Sequence, residues 1–297
     1  MTGGALDHPS DSPAVLRRVQ GPSAVSSDWR RFAQLTWLLS KTDFKLRYEG
    51  SRLGVVWSLA SPLLLFGVLY LVFSEILRFG SNVESFPVLL LLNIMLFQVF
   101  VQGTSNAIRS LVARENLIRK TQFPGMVIPC SITLSSAFTL GLSLVVVFGY
   151  FFFYGLAPLT TWLLLPAIVV PFLVLTFGVS MLLSALYVRY RDLAQVWPVI
   201  TRALFYASVV LYPIEFVPED LQYYLLLNPA ACLIVQARVW LIDPQAPGVL
   251  EVMGGWLGLL GPAAVFAGLC IAGYVVFART VSASSTNCAT RPSSPTR

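Results

Sequence analysis

The chain has 297 residues, of which 56% are hydrophobic and only 11% are charged, and its mean hydropathy is +0.74. Because ordinary soluble domains carry about 25% charged residues, this composition excludes a soluble enzyme or binding protein and predicts a membrane protein with several spans. The formal net charge of +6 falls largely in short segments beside apolar runs, so it indicates contact with anionic membrane lipid or an anionic partner and not nucleic-acid binding.

Residues 1–28 are polar and rich in Pro, Ser and Gly, and they contain no basic segment followed by a short apolar core. A cleavable signal peptide is therefore not expected, and the first span is expected to act as the insertion signal. We predict a disordered cytoplasmic N-terminus over this range.

The next stretch, 29–49, is too charged to cross a bilayer. At about 100° per residue, Phe32, Leu35, Leu39 and Leu46 fall on one side of a helix, while the cations fall on the other. The pattern predicts an interfacial amphipathic helix on the cytoplasmic surface. Such a helix serves either as a topology anchor or as the support of a docking surface or a substrate gate.

Six apolar runs follow, each long enough for a span of about 20 residues. They cover 54–77, 86–110, 127–154, 160–187, 195–216 and 254–278. Lys and Arg concentrate before the first run and after the second, fourth and sixth, which places both termini in the cytoplasm. We predict an all-α, multi-pass protein of the cytoplasmic membrane, with its six-span transmembrane domain at 50–280.

The loop after the second span, RENLIRKTQFPG (114–125), contains an apolar pair and then a basic pair before Phe-Pro-Gly stops it. It is either a short cytoplasmic helix shaped for a partner's groove or a solvated loop. The segment YVRYRDLAQVWP (187–198), between the fourth and fifth spans, is by itself an ordinary cytoplasmic turn.

Residues 217–243 are moderately apolar but broken at Asn228-Pro229, and each piece is too short to span a bilayer. The pattern favours a pair of outer re-entrant half-helices before the last span over a plain external loop. Broken backbone is tolerated at membrane depth only where protein buries it or where it lines an aqueous cavity. A transport path is therefore expected near the break.

Few residues are available for catalysis. None of the three lysines follows a glycine, so the chain lacks the G-x-x-x-x-G-K-[ST] phosphate-binding loop. The one histidine, His8, lies in the polar N-terminus, no span holds paired carboxylates, and the four cysteines show no CxxC spacing. We expect no enzyme activity, no cofactor and no metal in this chain.

Taken in order, the motifs resemble the transmembrane permease of polysaccharide-exporting ABC transporters (the Wzm type). The resemblance is carried by KLRYEGSRLGVVWSLASPLL (45–64), RENLIRKTQFPGMVIP (114–129), YVRYRDLAQVWP (187–198), YPIEFVP (212–218) and LLNPAACLIVQARVWL (226–241). No single motif is decisive, but their joint order over about 30–280 is specific to this family.

The resemblance implies a homodimer joined to two copies of a separate ABC ATPase, which holds ATP and Mg. It implies export of a polyprenyl-pyrophosphate-linked polysaccharide such as O-antigen or galactan, and the arginine richness favours an actinobacterial galactan exporter. The coupling segment, which would contact the ATPase, comprises Arg114, Glu115, Asn116, Leu117, Ile118, Arg119 and Lys120.

The two parts of such a substrate call for two kinds of residue. A pyrophosphate is costly in hydrocarbon, so cations and their neighbours at the substrate gate would offset that cost. The gate residues are Arg47, Tyr48, Arg52, Trp57 and Arg202. These arginines are equally placed to snorkel to the membrane surface. Gly50 and Pro62 flank the gate and predict a hinge between the surface helix and the first span.

Sugar rings must be held weakly and at many sites if they are to move, and aromatic faces can do this. The path aromatics are Tyr70, Phe73, Phe97, Phe205, Tyr206, Tyr212, Tyr223 and Tyr224. The same side chains are equally consistent with packing or lipid contact.

Two departures from the family pattern matter. Val209 stands where many relatives place a proline, so the bend there is expected to differ. Residues 281–297 form a Ser/Thr/Pro-rich tail, predicted to be disordered and cytoplasmic, where relatives end in a basic amphipathic segment. The alternative functions are an ABC permease for a drug or other lipid and, less favoured, a membrane-embedded enzyme or passive channel.

Overall fold

The structure, a computed structural model, describes residues 29–48, 54–78, 85–114, 125–153, 155 and 160–289, and every regular element within these ranges is helical. The α-helices are α1 (Trp29–Tyr48), α2 (Gly54–Tyr70), α3 (Phe86–Ile108), α4 (Ser110–Ala113), α5 (Val127–Phe153), α6 (Leu165–Arg189), α7 (Leu193–Ala207), α8 (Glu219–Leu226), α9 (Pro229–Leu241), α10 (Val249–Val252) and α11 (Leu260–Ala289). A π-helical turn, Leu71–Ile76, extends α2, and 3₁₀ turns, Thr160–Leu164 and Ile214–Phe216, precede α6 and α8.

Among the described residues, five helical stretches are long and apolar enough to cross a membrane, and α8 and α9 together make a sixth if the bent pair is one span. The five are Val56–Ile76, Phe86–Ile108, Val127–Phe153, Trp162–Arg189 and Leu260–Val281. The predicted fold class, an all-α membrane protein, is confirmed.

The fifth predicted span differs from the structure. A continuous helix over 195–216 is wrong, because α7 has 15 residues and ends at Ala207. At 1.5 Å per residue α7 is about 22 Å long, short of the roughly 30 Å of a hydrocarbon core. Val209 then takes a φ of +56°, in the left-handed region that β-branched residues rarely adopt. The chain therefore bends at Val209, where many relatives have a proline, through the left-handed backbone conformation of the valine itself.

The helix α3 forms the centre of the fold. In the most apolar 18-residue stretch of α3, 83% of the residues are buried, against 11% in that of the first span. α3 packs between α5 and α6, and the other face of α6 carries α11. Since α2 touches little besides α3 and its own π-helical extension among the described residues, the first span lies at the edge of the fold.

Small residues set the closest helix contacts. A Cβ on Gly103 of α3 would lie 2.5 Å from Cγ2 of Thr176, and one on Gly178 of α6 would lie 3.0 Å from Cα of Cys270. A Cβ on Gly273 of α11 would overlap the carbonyl oxygen of Gly178. Membrane helices gain van der Waals contact by approaching through such residues. α6 is thus fixed by close backbone approach to α11 on one side and by side-chain contact with α3 on the other.

The amphipathic helix predicted over 29–49 is α1, and it packs on α5. The rings of Trp37 and Phe44 meet Phe138 edge-on, at centroid distances of 5.3 and 5.8 Å. The most buried residues of the helix are polar, Thr36 and Ser40. Leu46, placed on the apolar side by the sequence pattern, is exposed and available to lipid.

The last helix, α11, continues to Ala289 and so passes the predicted start of the tail at residue 281. The prolines of the tail lie beyond Ala289, outside the described residues, so nothing up to that point forbids a helix. The predicted N-terminal segment 1–28 also lies outside the described residues.

Candidate transport and coupling site

An ion pair connects the surface helix to the start of the coupling segment. Arg114, directly after α4, donates from Nη2 to Oδ1 of Asp43 on α1. The side chains of Arg114 and Asp43 are 21% and 14% exposed. Arg114 Nη1 and Asp43 Oδ2 are buried and have no hydrogen-bond partner among the described residues. Because charge-assisted hydrogen bonds strengthen in a half-buried site, this pair ties the position of α1 to the end of α4.

Asp43 was not among the predicted site residues. Its signal in the sequence is weak: it is an acid in a helix whose other charges are mostly basic, and its partner lies 71 positions away. The rest of the coupling segment lies outside the described residues, namely Glu115, Asn116, Leu117, Ile118, Arg119 and Lys120. Their contact with an ATPase stays a prediction.

The gate residues fall on three elements. Arg47, near the end of α1, donates from Nη1 to Oγ1 of Thr139 on α5 over a long 3.5 Å. Trp57, in the first turn of α2, is 61% exposed, and Arg202 projects from the exposed side of α7. Arg52, Gly50 and the side chain of Tyr48 lie outside the described residues. The described gate residues of the chain thus do not assemble a single cationic gate.

The path aromatics form separate groups. Phe97 is a buried core residue of α3, and its ring meets that of Phe205 at 5.5 Å. Tyr206 is exposed beside Phe205, and its carbonyl accepts a hydrogen bond of 3.0 Å from the hydroxyl of Tyr212.

The remaining path aromatics lie on other elements. Tyr70 stacks on Phe66 within α2, and Phe73 belongs to the π-helical turn, where it packs against the core. Tyr223 and Tyr224 are exposed on α8. Phe97 therefore packs the subunit from within, while Tyr206, Tyr223 and Tyr224 present rings at its surface.

The predicted break at Asn228-Pro229 lies at the junction of α8 and α9, which meet there at an angle of 109°. Asn228 is the N-cap of α9, and its Oδ1 accepts a hydrogen bond of 3.1 Å from the backbone N–H of Ala230. Its Nδ2 donates to Oγ of Ser208 at 2.8 Å. One side chain therefore begins the second half-helix and ties it to the chain that leaves α7.

An ion-pair cluster closes the other end of α9. Arg238 donates from Nη1 to both carboxylate oxygens of Glu215, at 2.8 and 2.7 Å, and from Nη2 to Asp243 at 3.4 Å. The Arg238 side chain is 10% exposed, whereas those of Glu215 and Asp243 are 37% and 25% exposed. The cation thus holds the 3₁₀ turn after α7 against α9, and sequence reasoning had not paired these residues.

Removing this cation is expected to destabilise the protein more than removing either acid. Arg238→Gln leaves two facing carboxylates without a partner and is expected to cost about 2 kcal/mol of folding stability. Glu215→Gln is expected to cost less, because its carboxylate is more exposed and Asp243 still faces the arginine. Thermal melting of the purified protein in detergent measures the order, and a Glu215→Gln variant that melts first contradicts it.

Within the described ranges, no three His, Cys, Asp or Glu side chains lie close enough together to hold a metal ion. One cation, Arg202, and one aromatic ring, Tyr206, lie on the exposed side of α7, and polar residues mark the breaks at the ends of α7 and α8.

Residues 34–241 match the family described as ABC-2 type transporter. The O-antigen export system permease protein RfbA of Klebsiella pneumoniae is 30% identical over 202 residues, which cover 68% of this chain and 77% of the relative. The RfbA protein of Myxococcus xanthus is 27% identical, covering 72% and 83%, and the polysialic acid transport protein KpsM of Escherichia coli is 22% identical, covering 77% and 88%. The chain belongs to the ABC-2 type transporter family.

Proposed function

We propose that this protein is the permease subunit of an ATP-driven exporter of a polyprenyl-pyrophosphate-linked polysaccharide, such as O-antigen, galactan or a similar cell-envelope glycan. The observation that carries the proposal is the similarity, over about two thirds of the chain, to proteins named as O-antigen export permeases. The transport of polysialic acid named for a further relative points to the same class of cargo. The protein acts in the cytoplasmic membrane with both termini in the cytoplasm.

ATP hydrolysis is assigned to two copies of a separate ABC ATPase, which bind ATP and Mg. The family membership supports this partner, since the sequence itself has no phosphate-binding loop. The coupling segment receives the ATPase on the cytoplasmic side. The ion pair between Arg114 and Asp43 supports this assignment, because it offers a direct connection from that segment to the surface helix.

Two copies of the chain form the working permease. The exposed side of α2 supports this arrangement, since Val56, Leu64 and Val68 project from it and the span packs against little of its own subunit. In a bilayer such a face contacts lipid or a second copy. The second copy completes a path that the aromatics of one subunit line only in part.

The pyrophosphate and the sugars are handled on the exposed face of α7. Val199, Arg202 and Tyr206 share this face, because they follow one another at helical spacings of three and four residues. α7 is too short to cross a bilayer, but it packs on α3 and α6, which belong to candidate spans. A charged residue at membrane depth is by default part of a pathway or a ligand site. Arg202 offsets the charge of the pyrophosphate, and Tyr206, Tyr223 and Tyr224 offer faces to successive sugar rings.

Depletion of the protein in its native cell tests the function. Lipid-linked glycan is expected to accumulate and to stay shielded from an impermeant sugar label in intact cells, because the cargo cannot leave the cytoplasmic leaflet. Resupply of the wild-type gene is the control and restores labelling. The sugars that accumulate identify the substrate.

Unchanged amount and sidedness of lipid-linked glycan would overturn the proposal and favour a permease for a drug or other lipid. Purification of the tagged protein from mild detergent separates transport from the remaining alternatives. An ABC ATPase that co-purifies supports the assignment of the motor, whereas its absence points to an enzyme or a passive channel.

A further inference from the structure

A cavity of about 270 Å³ lies inside the subunit, between α3, α6, α7, α9 and α11. Its wall is almost wholly apolar, with aromatic rings from Phe97, Phe100 and Trp197 and aliphatic side chains from α6. It lies apart from the exposed face of α7 that carries Arg202, and none of the gate residues whose side chains the structure describes contributes to its wall.

The polar groups at the wall are satisfied within the protein. Ser208 Oγ accepts from Asn228, Asn228 Oδ1 accepts from the N–H of Ala230, and Trp197 Nε1 donates to Thr104 at 3.1 Å. A buried water needs two to four polar partners, and an apolar cavity without them stays dry or takes an apolar ligand. The volume equals about nine waters at roughly 30 Å³ each, so an empty cavity would forfeit many contacts.

Four residues of the wall are half-buried: Leu182 on α6, Leu204 on α7, Leu269 on α11 and Asn228 at the break before α9. The three leucines are the apolar residues through which the cavity would open to the surface. α6 and α11 belong to candidate membrane spans, so this opening faces the hydrocarbon of the bilayer or a neighbouring subunit within it. Among the residues that the structure describes, no Lys, Arg, Asp or Glu lines the cavity. A pyrophosphate or a sugar would lose its hydrogen bonds there, which leaves a hydrocarbon chain as the ligand that fits the wall.

We propose that this cavity binds one hydrocarbon chain of a membrane lipid, inserted between Leu204 and Leu269. Two lipids can supply the same chemistry: a phospholipid through an acyl chain, or a lipid-linked substrate through its isoprenoid chain. Binding of a phospholipid chain does not rest on the proposed function. Binding of the isoprenoid chain of a lipid-linked substrate does. The bound chain contacts both backbone breaks, at Ser208 and at Asn228, and supports α7 against α9.

Photolabelling of the full-length protein in lipid nanodiscs tests the site. One sample contains a phosphatidylcholine with a diazirine in the middle of an acyl chain, and the other contains a polyprenyl phosphate with a diazirine on its isoprenoid chain. After irradiation, mass spectrometry locates the labelled peptides. Label is expected on the segments that carry Leu182 and Leu204, in excess of the label on the exposed face of α2.

Leu269→Trp fills the opening from α11 and is expected to lower this labelling by about fivefold. Ala267→Trp is the matched control, because Ala267 is exposed on another side of the same helix and does not line the cavity. Leu204→Trp repeats the test from α7 if Leu269→Trp does not give a monodisperse protein. Labelling by the phosphatidylcholine probe identifies a phospholipid, and labelling by the polyprenyl probe identifies the carrier chain.

Equal labelling in wild type and both cavity-filling variants, with both probes, would overturn the proposal. So would labelling of the cavity segments no stronger than that of α2. If the export function fails its own test while the phosphatidylcholine probe labels the cavity and Leu269→Trp lowers that label, the lipid site stands without the exporter.

Discussion

Gly273→Ala is expected to destabilise the protein strongly, while Gly268→Ala on the same helix is expected to be neutral or mildly stabilising. A Cβ on Gly273 meets the backbone carbonyl of Gly178, whereas no described residue has an atom within 4 Å of a Cβ on Gly268. A carbonyl within a helix cannot turn aside as a side chain can, so α6 and α11 have to separate. Overpacking of this kind costs about 1–3 kcal/mol or more.

The size of the effect follows from the interface involved. The contact between α6 and α11 is the most extensive helix pairing among the described residues, and small residues allow it from both sides. Gly178→Ala should therefore act in the same direction, because its Cβ would lie 3.0 Å from Cα of Cys270. At Gly268 the change removes backbone freedom from the unfolded chain and gains helix propensity, by about 1 kcal/mol in soluble helices.

Thermal melting of the purified variants in one detergent measures the contrast, with size-exclusion profiles to confirm that each protein is monodisperse before heating. A Gly273→Ala protein that melts together with Gly268→Ala would show that α6 and α11 do not approach as closely as the structure places them. Both variants replace glycine by alanine on α11, so the effects of helix propensity and of composition on the melting temperature cancel when the two are compared.

The extent of α1 follows from the sequence, but its packing does not. Charge and periodicity place the helix at 29–49, within one residue of its end at Tyr48. The apolar periodicity also suggests that leucines pack, whereas Thr36 and Ser40 are buried and Leu46 is exposed. In lipid, apolar side chains lose nothing by facing outward, and small polar residues let helices approach.

Of the two backbone breaks, one could be predicted from the sequence and the other could not. The break at Asn228 follows from proline chemistry, since Pro229 disfavours helix in the residue before it. The end of α7 has no such residue, and an apolar run continues through Val209, so hydropathy alone extends the fifth span too far. Only tertiary contacts hold Val209 in its left-handed conformation, where it is buried.

Contacts in the candidate site between residues that lie far apart in the sequence could not be predicted from the sequence. Arg238 pairs with Glu215 across 23 positions and Arg114 with Asp43 across 71, and no local pattern joins them. Residue type alone likewise grouped Phe97 with Tyr206 as path aromatics, although one is buried in the core and the other is exposed. Composition predicts which chemistry is available, and packing decides which side chains can reach a substrate.

Reversal of one charge in the pair between α1 and α4 is expected to uncouple ATP hydrolysis from export. Arg114→Asp sets two carboxylates against each other in a half-buried site, so α1 is released from the start of the coupling segment. A charge-assisted hydrogen bond contributes about 1.5–3 kcal/mol. Export is expected to fall at least about tenfold, which corresponds to about 1.4 kcal/mol, while the ATPase still co-purifies and still hydrolyses ATP.

The matched control is Lys41→Asp, which changes the net charge equally on an exposed position of α1, two residues from Asp43. It is expected to leave export near the wild-type level. The double variant Asp43→Arg with Arg114→Asp restores an ion pair of opposite polarity and is expected to recover a substantial part of export. Export of lipid-linked glycan and ATP hydrolysis, measured on the same membranes, give the ratio that the prediction concerns.

The ratio of glycan export to ATP hydrolysis shows whether the ion pair transmits motion or only stabilises the fold. If the pair only stabilised the fold, Arg114→Asp would lower the amount of assembled complex, and hydrolysis and export would fall together. If the pair transmits motion from the coupling segment to α1, ATP hydrolysis per complex persists in Arg114→Asp while export is lost. The double variant then recovers export, because the link needs two opposite charges but does not depend on which helix carries which charge. A single variant that exports normally with an unchanged ratio would show that α1 moves independently of Arg114.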